Sequence, residues 1–197
     1  MKLEKFLQDN YNYNPDVRNV LQSYIEQWKS WYAGNVKSFH NYFIYNGKRK
    51  VNQKRFTMNM AKEISEDWSD ILWSEKCKIS MADEKSQEQF DDLIESLDLY
   101  TLINQLIEKS GGLGTESAVV SVYDIIENED GMTLDVTNAK TRVDLVDVDW
   151  IFPLTWNNKE VTECAFGSVE YIKGKKHIVL AVHQLNDAGN YVIKNHL

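Results

Sequence analysis

The sequence predicts an α+β fold in which a helical N-terminal part, residues 1–112, is followed by an antiparallel β meander over residues 113–197. Apolar residues recur at helical spacing through most of the first half and alternate with polar ones through most of the second. A glycine cluster, Gly111, Gly112 and Gly114, separates the two regimes. Helices grouped first and strands afterwards is the order of an α+β chain rather than of alternating βα units. With 197 residues, 43% of them hydrophobic, there is material for one large domain or two small ones around a packed core.

Helical spacing starts after Asn14 and Pro15, since proline suits a first helical turn where its missing N–H costs nothing. Val17, Val20, Leu21, Tyr24, Ile25 and Trp28 trace one apolar stripe, and Gly34 marks its end. Residues 35–53 lose periodicity but keep Phe39, Tyr42, Phe43 and Tyr45, with Asn46 and Gly47 as a turn signal. That stretch is too apolar for a free linker and is expected to lie against the core or another subunit.

The strongest helical pattern lies in residues 56–81, FTMNMAKEISEDWSDILWSEKCKISM. Met60, Ile64, Trp68, Ile71 and Leu72 stand at spacings of four, four, three and one, with Glu63, Glu66, Asp67 and Asp70 opposite. Met60, Ile64, Trp68 and Leu72 are therefore expected as core anchors, and Trp68→Ala is expected to cost roughly 3–5 kcal/mol if Trp68 is fully buried. Behind the helix, Cys77, Ile79 and Met81 alternate with Lys76, Lys78 and Ser80, which predicts a short strand. Apolar residues return from Phe90 to Ile107 as one long helix or two short ones broken near Asp98. The glycines that follow lack the Lys-Ser or Lys-Thr and the preceding strand of a phosphate loop, so they read as a helix stop.

In the second half, strands are predicted over 118–126, around 132–136, and over 142–148, 151–154, 161–172, 177–185 and 191–194. Asp130 with Gly131, Asn157 with Asn158, Gly174 and Gly189 supply the turns. Trp150, Phe152 and Trp156 are its expected aromatic core anchors. The last residues, Tyr191 to Leu197, read as the body of a strand with no turn or polar tail behind it, so the chain is expected to be a piece of something longer.

The net charge of −8 argues against a general nucleic-acid binder, which draws its affinity from phosphate neutralisation, yet leaves room for DNA that passes without sticking. Lys48, Arg49, Lys50, Lys54 and Arg55 nevertheless put five positive charges into the eight residues KRKVNQKR. They form either a solvated loop or a patch for an acidic neighbour or a nucleic-acid backbone. No stretch approaches the roughly 20 apolar residues of a membrane span, and the N-terminus lacks the apolar run of a signal peptide. The chain is expected in the cytosol when made, with no membrane partner and with Cys77 and Cys164 as reduced thiols.

Three constellations carry side chains capable of chemistry. Asp144, Asp147 and Asp149 could hold a hard cation, but they lack the glycine turn and distal Glu of a calcium loop and read as an exposed strand face. His177 and His183 share a face of one strand but stand roughly 20 Å apart, too far for a common metal. Glu63, Glu66, Asp67 and Asp70 could act as acid and base only within a closed cleft, and a solvated face is the simpler reading. No nucleophile elbow, zinc spacing or dinucleotide fingerprint is present, so no cofactor and no metal are expected.

Two blocks carry a resemblance. FTMNMAKEISEDWSDILWSEKCKISM, and DWIFPLTWNNKEVTECAFGS followed by HIVLAVHQLNDAGNYVIKNHL, resemble the portal proteins of tailed bacteriophages of Gram-positive hosts. The first is similar to that family's Met-Ala-Lys, Trp, Asn-or-Ser-Glu-Lys helix, the second to its Phe-Pro-x-x-Trp and closing Tyr-x-Ile-x-Asn strands. The resemblance implies a non-enzymatic, homo-oligomeric subunit of a dodecameric ring at a capsid vertex of the virion, assembled in the bacterial cytoplasm. Double-stranded DNA is packaged and ejected through such a ring, and terminase, capsid and head-completion proteins are its partners. This chain would correspond to the N-terminal wing and would stop before the family's stem, clip and crown. Other readings are a different minor capsid protein, or a hydrolase using the acidic clusters.

Overall fold

The computed structural model describes residues 3–197 apart from 12, 75, 125, 128–133, 136–138, 159 and 187. Helix α1 (Leu3–Tyr11) precedes the first helix the apolar pattern marks. At nine residues it is too short to be stable alone, and it is held by burying Leu7 against the C-terminal sheet. Helix α2 (Pro15–Tyr32) begins as expected: the Asn14 side chain accepts from the Asp16 N–H at 3.0 Å, and Pro15 fills the first turn.

The aperiodic stretch that follows is ordered. It forms a single helical turn, α3 (Lys37–His40), and a hairpin of β1 (Asn41–Tyr45) and β2 (Lys50–Lys54), paired from Asn41↔Lys54 to Tyr45↔Lys50. Asn46 closes the hairpin, its Oδ1 accepting from the N–H groups of Lys48 and Arg49 at 3.2 and 3.0 Å. Helix α4 (Met60–Leu72) comes next.

The alternating run from Lys76 to Met81 is irregular rather than a strand. Alternation needs a neighbouring ladder, and here side chains meet the backbone instead. The Met81 N–H donates to Gln87 Oε1 at 2.8 Å, and the Tyr100 hydroxyl donates to the Cys77 carbonyl at 3.1 Å. Gln87 and Tyr100 belong to α5 (Glu84–Leu97) and α6 (Leu99–Leu113), which are split at Asp98 in a left-handed conformation of φ 49°. Gly111 and Gly112 lie inside α6, and only Gly114 ends it. Gly112 is needed for close approach: a Cβ there would stand 2.5 Å from the Tyr32 ring of α2 and 3.1 Å from Ser65 Oγ of α4.

The second half pairs β3 (Ser117–Tyr123) with β6 (Lys140–Val146) and β4 (Ile126–Glu127) with β5 (Leu134–Asp135), all antiparallel. The expected Asp130–Gly131 turn, Met132 and Val136 lie outside the described residues. A 3₁₀ turn (Val148–Trp150) leads into the meander β7 (Ile151–Asn157), β8 (Glu160–Ile172), β9 (Lys175–Leu185) and β10 (Tyr191–His196), in spatial order β10-β9-β8-β7. Pro153 sits on the edge strand β7 beside a register shift, where its missing N–H leaves the ladder intact elsewhere. The protein is an α+β chain, with one hairpin set among its helices.

Two buried clusters form the core, and each draws on both halves. Leu7 and Tyr13 join Phe152, Leu154, Ala165, Leu180 and Val182 on one face of the sheet, while Ile25, Leu113 and Val148 meet between α2, α6 and the 3₁₀ turn. Of the expected anchors, Phe152 is buried and Trp150 is partly buried against the same cluster. Trp150 lies over Gly167, whose Cβ would approach the indole to 2.6 Å. Trp156 is instead 47% exposed at the end of β7, and Met60, Ile64, Trp68 and Leu72 are all at least half exposed.

Arg18 locks the two halves together. Its buried guanidinium donates to the carbonyls of Asp149 at 3.0 Å, Ile151 at 3.1 Å and Val148 at 3.3 Å, and lies 5.2 Å from the Phe152 ring centroid. On the same face of α2, Gln22 donates to Asp149 Oδ1 at 3.3 Å, and the Lys29 ammonium bridges the Asp149 carboxylate and that of Asp147, the latter at 2.8 Å. Arg18→Ala strands buried carbonyls and is expected to lower unfolding free energy by roughly 3 kcal/mol. Lys29→Ala removes only part-exposed ion pairs and should cost under about 1 kcal/mol. Urea denaturation of both variants checks the ranking, and equal losses would contradict it.

Candidate interaction surface

Helix α4 packs inward through small residues. Ala61, Ser65 and Ser69 recur every four positions, and they let α6 approach at Gly111 and Gly112. Ser69 is 1% exposed, and its hydroxyl has two acceptors within reach, the Glu66 carbonyl at 2.8 Å and Asn104 Oδ1 at 3.2 Å. Asn104 of α6 in turn donates to Asp70 Oδ1 at 3.0 Å and to the Trp73 carbonyl at 3.3 Å. The amphipathic pattern is therefore inverted: the narrow polar face is inside, and the broad apolar stripe is outside.

That stripe is large. Trp68 is 57% exposed and Ile71 72%, and Met60, Ile64 and Leu72 continue it. Phe56 and Met58, in the segment leading into α4, are more exposed still. Glu63, Asp67 and Asp70 are interspersed on the same solvent side. An apolar surface of this extent is a candidate interaction site.

The basic patch falls on the hairpin, but its five members are not equivalent. Lys48 and Arg49 occupy the turn, and Lys50 and Lys54 open and close β2. Arg55 is folded back, its guanidinium 4.8 Å from the Phe39 ring and 5.3 Å from that of Tyr42, while its N–H donates to the His40 carbonyl at 2.7 Å. Arg55 thus fixes the hairpin base, and the other four project. Every residue of β1 is exposed.

A groove of about 510 Å³ runs between α2 and the sheet, lined among others by Leu21, Trp28, Glu116, Trp156 and Cys164. The Glu116 side chain is fully enclosed. Burial pushes its carboxyl up, and the Lys109 ammonium 3.4 Å away offsets this only in part. Burial also pushes the Cys164 thiol up to about 12, far from nucleophilic.

The acidic constellations are committed to structure. Asp147 caps the 3₁₀ turn by accepting from the Asp149 N–H at 3.0 Å. Its own burial would raise its carboxyl, but the Lys29 ammonium and the Asp149 N–H hold it below the usual range. Asp144 pairs with Arg142 at 2.6 Å. The Lys29 ammonium thus sits between Asp147 and Asp149, in the place a bound cation would take. Glu63, Asp67 and Asp70 lie on an open helix face, and Glu66 pairs with Lys62 at 2.7 Å. His183 packs edge-on against Phe166 and bonds the Tyr191 hydroxyl. Among the described residues no group of three or more His, Cys, Asp or Glu is placed to hold a metal.

Two outcomes follow. Trp68→Ala should leave the thermal midpoint of the monomeric chain nearly unchanged, since surface substitutions usually stay within about 0.5 kcal/mol; a loss of several kcal/mol would place Trp68 in the core after all. Glu116→Gln should raise the midpoint at pH 7. Because the folded carboxyl titrates above its unfolded value, its cost is present at high pH and fades as pH falls towards about 4.3, so the advantage of the Gln variant should fade too. Thermal scans across that range test the sign.

Compared with known proteins, the chain matches no family model and no curated sequence, so this surface is read from its own chemistry.

Proposed function

We propose that the chain is a structural subunit of a phage portal ring, set at a capsid vertex, through which double-stranded DNA is packaged and ejected and to which the tail attaches. The observation that carries the oligomeric part is the outward apolar stripe of α4, whose burial requires another molecule. The portal assignment rests on the two sequence blocks. The first covers α4 with the segments on either side of it. The second covers the 3₁₀ turn and the meander, with Phe152, Pro153 and Trp156 in β7 and Tyr191, Ile193 and Asn195 in β10.

The charge pattern supports the same reading. A ring wall that held phosphates tightly would stall a moving duplex, and a net charge of −8 suits passage rather than grip. Of the two acidic clusters a hydrolase would need, Asp144, Asp147 and Asp149 are spent on Arg142, Lys29 and the 3₁₀ turn, and Glu63, Asp67 and Asp70 lie on an open helix face rather than in a cleft, which favours a structural role over that rival.

Multi-angle light scattering and negative-stain microscopy of the gene product test the proposal together. The expected result is a large closed ring with a central hole. A particle that stays monomeric at tens of micromolar overturns it, as does salt-sensitive, submicromolar binding to duplex DNA.

A further inference from the structure

We propose that the β1–β2 hairpin of one copy docks on the outward face of α4 of a second copy. This rests on the ring reading for the existence of a second copy, and it names the contact.

The hairpin is built to be completed by a partner. Two five-residue strands, with β1 exposed along its whole length, are marginal alone in water. Residues 41–55 carry five cations and no acid. Cross-strand partners share a face and side chains alternate, so Phe43 and Tyr45 stand on the same face as Lys50 and Lys54. This face is aromatic and cationic together.

The outward face of α4 is its counterpart in both respects. Ile64, Trp68 and Ile71 supply exposed apolar surface, and Glu63, Asp67 and Asp70 supply negative charge among them. The helix carries four carboxylates against one lysine, Lys62, which is already paired with Glu66. Apolar meets apolar and cation meets anion only if the two faces come together.

The contact is made between copies because the connecting segment is pinned at both ends. Arg55 holds the hairpin base to Phe39, Tyr42 and His40. Asn59 and Thr57 are packed over Gly34, where a Cβ would meet them at 1.9 and 2.5 Å. Both faces are accordingly exposed within one subunit. Two different, complementary patches on one chain make a head-to-tail contact, which closes into a ring when the rotation allows. A nucleic acid could also meet a cationic, aromatic hairpin, but it would leave the α4 stripe uncovered.

Charge reversal tests this. One variant carries Lys50→Glu and Lys54→Glu, and the other carries Glu63→Lys and Asp67→Lys; all four positions are exposed, and unchanged thermal midpoints confirm folding. In sedimentation runs at about 0.15 M salt, each variant alone should associate at least tenfold more weakly than the unmodified chain. An equal mixture should reassemble, since each hairpin then finds a helix of opposite sign. If either variant assembles normally, or the mixture stays dissociated, the contact is wrong while the ring reading stands. If the unmodified chain never assembles, both fall. If hairpin reversal spares assembly but abolishes binding to a labelled duplex, the hairpin is a nucleic-acid arm and the proposal is overturned.

Discussion

The two halves of the fold are joined around a buried cation, Arg18, that has no carboxylate partner among the described residues. The Arg18 guanidinium is satisfied by the carbonyls of Val148, Asp149 and Ile151, which a 3₁₀ turn and the first residue of an edge strand present together. A buried charge is tolerated only when its donors are used, so α2 has little choice of rotation or height against the sheet. The two hydrophobic clusters meet at this point. Phe152, beneath the guanidinium, belongs to the sheet-side cluster, and Val148, one of the acceptors, belongs to the helix-side cluster. The helical and β parts therefore share one packed interior through a polar hinge point.

Much of the fold was legible because its signals are local. The Asn14–Pro15 start, the Asn46–Gly47 turn, the break at Asp98 and the strands from Ile151 onward each depend on a few neighbouring residues or on a simple period. What was not legible depended on partners distant in sequence. Helix α1 exists because Leu7 meets strands more than a hundred residues away. Asp147 and Asp149 read as an exposed or cation-holding pair because Lys29 lies far upstream. The alternation from Lys76 to Met81 had no ladder to join.

Helix α4 shows a subtler limit. An amphipathic pattern states that two faces differ, not which one is inside. Ala61, Ser65 and Ser69 are as periodic as Met60, Ile64 and Trp68, and the tight approach of α6 selects the small set. The cue was present in Gly112, in the last turn of α6, where a Cβ would stand 2.5 Å from the Tyr32 ring and 3.1 Å from Ser65 Oγ. The basic cluster was legible as a patch, but its division into one anchoring arginine and four projecting cations follows from the aromatic rings of Phe39 and Tyr42.

The small inner face of α4 has an evolutionary consequence. Ser65, Ser69 and Asn104 tie the helix into the fold, while the bulky side chains on its far side touch little of their own subunit. Most proteins trade stability against function because both draw on the same residues. In the proposed ring the two would be carried on opposite sides of one helix, so the outer side could drift, and partners could be gained, tuned or lost, without the chain first becoming unable to fold.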